Sequence, residues 1–161
     1  LLSVLNGVEN LKLAARYHQL GDEKLIQAQA ETLLLQMPQK NDHHSLPSYM
    51  SKLLRRHIAI ARPLMLDPQI VFIDNPFDGL SYFDKNIVAQ YIAGITQKQN
   101  ISLVLSTDDL SFIQQHASQI IFCDQHGSGN HRIEPFKNWQ SFKSCQSDEL
   151  ALLFEHQNMK K

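Results

Sequence analysis

Cysteine is nearly absent: Cys123 and Cys145 are the only two in 161 residues, too few and too isolated for a disulfide framework, which fits a reducing compartment. Glycine is at an ordinary level, with six residues. Nowhere do they form G-x-x-x-x-G-K-[ST], the loop whose backbone amides cradle phosphates. The longest apolar runs are strand-sized, far short of the ~20 residues of a membrane-spanning helix. No stretch has the pattern of a secretory leader, so any membrane role is expected to pass through a partner. Neither sign of charge dominates. The formal net charge of −1 offers no global field for nucleic acid. What is present is 43% apolar content with ordinary proline, the composition of one soluble globular domain or a large part of one.

The richest stretch is Leu46–Ser81, LPSYMSKLLRRHIAIARPLMLDPQIVFIDNPFDGLS. Ile70, Val71, Phe72 and Ile73 form an unbroken apolar run after Asp67-Pro68, the pattern of a strand covered on both faces. Asp74 ends that strand. Ligands of open α/β sheets bind at this edge, where a carboxylate can hold a Mg²⁺ bound to phosphates; a turn-capping Asp is the alternative. Met50–Leu66 reads as a helix with Leu54, Ile58, Ala61 and Met65 on one stripe and Arg55 and Arg56 near its basic start. Pro63 removes a backbone donor, so the helix is expected to finish early.

Elsewhere the periodicity alternates between helix and strand. Helices are expected after Asn6-Gly7 to Gln19, from Asp22-Glu23 to Met37, from Tyr82 to Gln97, from Asp109 to His116 and from Asp148 to His156. Further strands are expected at Ile101–Leu105 and Gln119–Asp124, continuing a set of parallel βαβ units. Pro38–Ser48 reads as a polar loop in which His43-His44 is solvated, and His126–His131 as a glycine-rich turn before a short Arg132–Glu134 segment. Cys123, His126 and His131 lack a fourth ligand for zinc. Trp139 and Phe154 read as packing residues.

Aligned on Ala61, Arg62 and the Asp67-Pro68 turn, the richest stretch resembles the ABC-transporter ATPase pattern LSGGQxQRxxxARAL…DPxxxxxDEP. The likeness extends over nearly the whole chain, with the early VENLKLAARYH similar to the family's LxVxENVxLPLxY. It implies an α/β P-loop NTPase (ABC ATPase) fragment, with a mostly parallel sheet, flanking helices and an ABC-type helical subdomain. Residues 1–66 are then the helical subdomain, including the signature-like helix. Residues 67–161 are the C-terminal part of the ATPase core. Leu1 would fall just after the family's Gln loop, and the start without Met suggests a fragment lacking the upstream Walker A. The ending FKNWQSFKSCQSDELALLFEH and the NPFDGLS form resemble the Mla/Mce-type lipid-transport ATPases.

The resemblance also assigns site positions, and several hold unexpected residues. Ser51 stands at the signature serine, but Lys52 and Leu53 replace the two glycines that allow close approach to a γ-phosphate; the branched Leu53 is expected to hold it away. Asp74 stands at the Walker B aspartate, able to orient Mg²⁺ through water. Asn75 replaces the Glu that acts as general base, and its amide has no useful basicity near neutral pH. Ser81 replaces the D-loop aspartate. Asp108 replaces the switch histidine and would repel a γ-phosphate.

The implied function is the ATP-binding subunit of a membrane ABC transporter, with lipid trafficking as the cargo reading and hydrolysis impaired, a pseudo-ATPase. ATP and Mg²⁺ are the implied cofactors. The partners are a transmembrane permease and a second ABC ATPase subunit, in a homo- or heterodimer, with no nucleic acid. The expected location is cytoplasmic, peripheral on the inner face of the plasma membrane through the permease. Two alternatives remain: an ATPase active only within a composite dimer site, and a non-catalytic scaffold.

Overall fold

Side chains with a spare acceptor start the helices. In the computed structural model, which describes residues 1–37, 42–99, 101–125, 131–145 and 151–155, α1 (Gly7–Tyr17) begins on Asn6, whose side chain accepts from the Glu9 amide at 2.9 Å. Asp22 does the same for α2 (Glu23–Leu35), accepting from Leu25 at 2.8 Å. Ser51 opens α3 (Lys52–Ala61), accepting from Leu54 at 3.1 Å. Each satisfies an amide that the first helical turn leaves without a backbone partner.

The chain divides into two compact units, Leu1–Thr107 and Asp108–Lys161. In the first, α1 lies against α2, α3 and the tight turn Arg62–Leu66. Leu11, Ala15, Ala30, Leu54, Ile58 and Met65 are buried there, joining the stripe read from the sequence into one core. Close packing constrains Gly7: a Cβ at that position would meet the His43 carbonyl oxygen and Ile58 Cδ1 at 2.7 Å. Asn10, fully buried, staples the preceding residues. Its side chain accepts from the Leu2 amide at 2.8 Å and donates to the carbonyls of Leu2, Leu5 and Asn6 at 3.1, 2.8 and 3.0 Å.

As expected from Pro63, α3 does finish early. It ends at Ala61, and Arg62–Leu66 continues as a 3₁₀ helix with Pro63 in its first turn, where a missing amide leaves no α-helical bond unmade. Asp67 then takes a left-handed conformation, φ 48°, and turns the chain into β1 (Ile70–Asp74). After β1, α4 (Tyr82–Gln99) crosses to β2 (Ser102–Ser106), which pairs with β1 in parallel, with Phe72 opposite Val104 and Asp74 opposite Ser106.

Two expectations about these strands need correction. The apolar run at 70–73 is not covered on both faces. Val71 is 4% exposed, whereas Phe72 is 76% exposed. Side chains alternate along a strand, and the face carrying Ile70, Phe72 and Val104 has no cover among the described residues. The second strand, likewise, is half-exposed rather than buried along its length.

In the second unit, α5 (Leu110–His116) starts on Asp109, which accepts from Phe112 at 3.0 Å. The following strand, β3 (Ile120–Gln125), does not extend a parallel set. It pairs antiparallel with β4 (His131–Phe136). Five residues separate them, and a parallel partner needs a crossover of about a dozen or more. The glycine-rich turn itself lies outside the described residues, as does most of the 148–156 segment's first half, although 151–155 is helical. A capping box on Asn138 starts α6 (Trp139–Lys143). Phe142, 1% exposed, centres a cluster with Leu110, Ile120 and Phe136. Trp139 and Phe154 do pack there, their rings 5.9 Å apart.

Candidate functional site

The end of β1 carries the candidate site. Because Asp74 and Ser106 are register partners at the C-terminal ends of neighbouring parallel strands, the Ser106 hydroxyl donates to Asp74 Oδ1. The next residue, Asn75, has a left-handed φ of 43°, a conformation that asparagine tolerates better than most side chains. Its amide donates to the backbone and side-chain oxygens of Ser106 at 3.1 and 3.0 Å. Its side-chain amide points back towards Asp74 Oδ1, 3.5 Å away. Both residues are exposed.

Helix α3 reaches this loop through its basic face. Arg56 donates from Nη1 to the Asn75 carbonyl and from Nη2 to the Asp78 carbonyl, each at 3.1 Å. One turn earlier on α3, Lys52 Nζ lies 3.9 Å from where a Cβ would stand at Gly79, whose φ is 68°. Ser51 spends its side-chain oxygen on the helix cap. Leu53 departs from expectation: its side chain is buried, 6% exposed, and faces the core rather than standing before the helix start. Ser81 sits just ahead of α4, its hydroxyl donating to Asp84 Oδ2 at 2.9 Å and accepting from the Asp84 amide at 3.2 Å.

Ser51, Lys52, Leu53, Asp74, Asn75 and Ser81 therefore all belong to the first unit. Asp108 is exposed and opens the second, immediately before the helix cap Asp109.

Two residues were missed as site residues. Ser106 carries no sequence signal by itself, since only strand register aligns it with Asp74. Arg56 is visible as half of a basic pair, and its spacing of four from Lys52 is the clue that both share a helix face. His57 lies apart from the site. It is fully buried on the other side of α3, with Nδ1 2.9 Å from the Leu53 carbonyl and its ring 4.9 Å from that of Tyr91 on α4. Among the described residues, His57 Nε2 and the Tyr91 hydroxyl are buried without a hydrogen-bond partner. Burial pushes the imidazole below its usual value and the phenol above its own, because each charged form would lose its hydration.

His43 also corrects its reading as a solvated loop residue. It is 6% exposed, and its carbonyl accepts from the Val8 amide at 3.1 Å. Among the described residues no three His, Cys, Asp or Glu side chains group as a metal site. The densest charges lie away from Asp74, on α1 and α2. Lys12, 5% exposed, meets Glu9 and Glu23 at 3.0 Å, and Arg16 pairs with both carboxylates. The Arg16 and Lys12 hydrogen bonds bring Glu23 down to about 2.

The donor set at β1 suits only a partly hydrated cation. Asp74 Oδ1 is engaged by Ser106, leaving one carboxylate oxygen for a magnesium ion that keeps waters and takes its other ligands from phosphates. The residues present thus fit a magnesium ion that keeps its waters, which Asp74 would hold through one of them.

No family model matches the chain. It is similar to the arginine transport ATP-binding protein ArtP of Escherichia coli (strain K12), with 30% identity over 125 residues, 71% of this chain and 50% of that protein. It is also similar to the lipoprotein-releasing system ATP-binding protein LolD of Hydrogenovibrio crunogenus, with 30% identity over 126 residues, 78% of this chain and 54% of that protein. The chain spans about half the length of the curated relatives it matches. Among solved structures, a metal-chelate type ABC transporter in an inward-facing conformation superposes with a TM-score of 0.74 at 16% identity, over 93% of this chain and 58% of that one. A dimeric ATP-binding cassette in a post-hydrolysis state, bound to ADP and phosphate, gives a TM-score of 0.66 at 21% identity, over 75% of this chain and 53% of that one. The fold is that of an ABC ATPase nucleotide-binding domain. In that ABC fold, the parallel β1–β2 pair and its flanking helices position Asp74 and Asn75 at the strand ends.

Proposed function

We propose that this chain is part of the ATP-binding subunit of a membrane ABC transporter, slow or inactive in hydrolysis. The observation that carries the reading is the pair at the end of β1. Asp74 is exposed and can orient hydrated magnesium, whereas the adjacent Asn75 offers an amide already turned to Asp74. An amide does not accept the proton of an attacking water. Losing general-base help typically lowers turnover by about 10²- to 10⁴-fold. Asp108 at the position of the switch histidine, Ser81 at the D-loop position and Lys52 in place of a glycine support the same direction.

The partners are a permease and a second ATP-binding subunit, through which the chain sits on the cytoplasmic face of the membrane. No helix among the described residues is long and apolar enough to cross a membrane. A lipid or lipid-linked cargo is supported by the Mla/Mce-like ending and by the likeness to LolD. The equal identity to ArtP does not favour it.

Steady-state ATP hydrolysis by the complex purified from membranes tests the reading. Equal rates for wild type and Asp74→Ala are expected. A loss of tenfold or more would instead support a composite site in which this subunit's Asp74 serves catalysis, a second reading favoured by the accessibility of that carboxylate. Capture from membranes that recovers neither a permease nor an ATP-binding partner would overturn both in favour of a scaffold.

A further inference from the structure

We propose that Arg56 is a positioning residue: from α3 it grips both ends of the turn after β1, so that this turn and the helix start at Ser51-Lys52 keep one relative geometry. The two carbonyls that it binds belong to Asn75 and Asp78, the first and last residues of the turn, which closes where the Asp78 amide donates to the Asn75 carbonyl at 3.3 Å. A guanidinium suits this task. Its donors lie in one rigid plane and can serve two acceptors together, whereas an ammonium is a point charge.

The grip has two sides. On α3, Lys52 stands four residues before Arg56 and reaches the far end of the turn at Gly79, so the same helix face follows the loop along its length. From the sheet, Ser106 holds the Asn75 amide with two oxygens. Asn75 is thus fixed through both its amide and its carbonyl in a left-handed conformation that a non-glycine residue does not readily hold unaided. With the sheet anchoring one side, the loop keeps its shape only while α3 keeps its place. A displacement of α3 is therefore transmitted to Asn75 and, through it, to the side chain beside Asp74.

The importance of this coupling for nucleotide rests on the ABC reading above, but the clamp itself does not. Amide hydrogen exchange of the full chain, without nucleotide, reads it directly. Arg56→Ala is expected to speed exchange across residues 75–80 by about tenfold while leaving α1 unchanged. Arg56→Lys, which keeps the stem and charge but not the fork, is expected to do nearly the same. Wild-type exchange in Arg56→Ala at an unchanged melting temperature would overturn the clamp, and full rescue by lysine would overturn the role of the fork. If the alanine variant fails to fold, the lysine variant decides: faster exchange supports the proposal and wild-type exchange overturns it. Faster exchange combined with unaltered affinity for a fluorescent ATP analogue in the membrane complex would count against the nucleotide-site reading, not against the clamp.

Discussion

Ser106, the last residue of β2, donates its hydroxyl to Asp74, the last residue of β1 and its register partner. The same oxygen accepts from the Asn75 amide at 3.0 Å, so one serine holds the orientation of the candidate magnesium ligand and the path of the chain beyond it. Ser106→Ala is expected to lower stability by about 1 kcal/mol, the usual net value of a hydrogen bond to a charged group discounted for exposure. Ser106→Thr, which keeps the hydroxyl, should restore most of it. Urea melts of the three proteins check this.

Acidification should destabilise the first unit through His57. Its folded value lies below its ordinary one because of burial, and His43 shifts the same way for the same reason. The unfolded chain therefore binds more protons. The stability is fully present above about pH 6.5, where the imidazole is neutral in both states, and declines as pH falls from there towards the folded values. His57→Phe, which keeps a ring against Tyr91, should flatten the dependence of melting temperature on pH between 7.5 and 5. An unchanged slope would remove His57 as its source. The lowered carboxylates Glu9 and Glu23 act in a different window, losing their contribution only below about pH 4.5.

Pro63→Ala should change stability by no more than about 1 kcal/mol, and in the destabilising direction, because the proline restrains the unfolded chain without breaking a native bond. It sits in the 3₁₀ turn after α3 has ended. Had it interrupted an α-helix, its removal would stabilise by about 3 kcal/mol. Thermal melts separate these outcomes by sign.

Asn10→Ala is expected to cost about 1–3 kcal/mol, more than a typical surface change, since it leaves partly buried backbone groups of Leu2, Leu5 and Asn6 without the partners they have now. Asn10→Asp should cost a similar amount, because a carboxylate cannot donate to three carbonyls. Chemical denaturation read by circular dichroism measures both.

Much of the architecture was legible because local chemistry encodes it. Asn6, Asp22, Ser51 and Asp109 mark helix starts through side-chain acceptors. The apolar period of Leu54, Ile58, Ala61 and Met65 gave the buried stripe of α3 and the turn after it. Pro63 announced the end of that helix. The order of helix, Asp67-Pro68 turn, strand and Asp74 led to the ABC fold that the superpositions bear out.

Other features belong to distance rather than sequence. Phe72 and Val71 are equally apolar neighbours, yet one is exposed and the other buried, since burial depends on what covers each face. β3 turned antiparallel because its partner follows after a short connection, a choice that apolar periodicity cannot express. The chemistry around Asp74 divides in the same way. The sequence by itself determined that Asp74 ends a strand and that an asparagine, Asn75, follows it. Tertiary structure decided that Ser106 would bind that carboxylate and Arg56 the carbonyl beyond it, because those partners lie 32 and 19 residues away and meet only through strand register and the packing of α3.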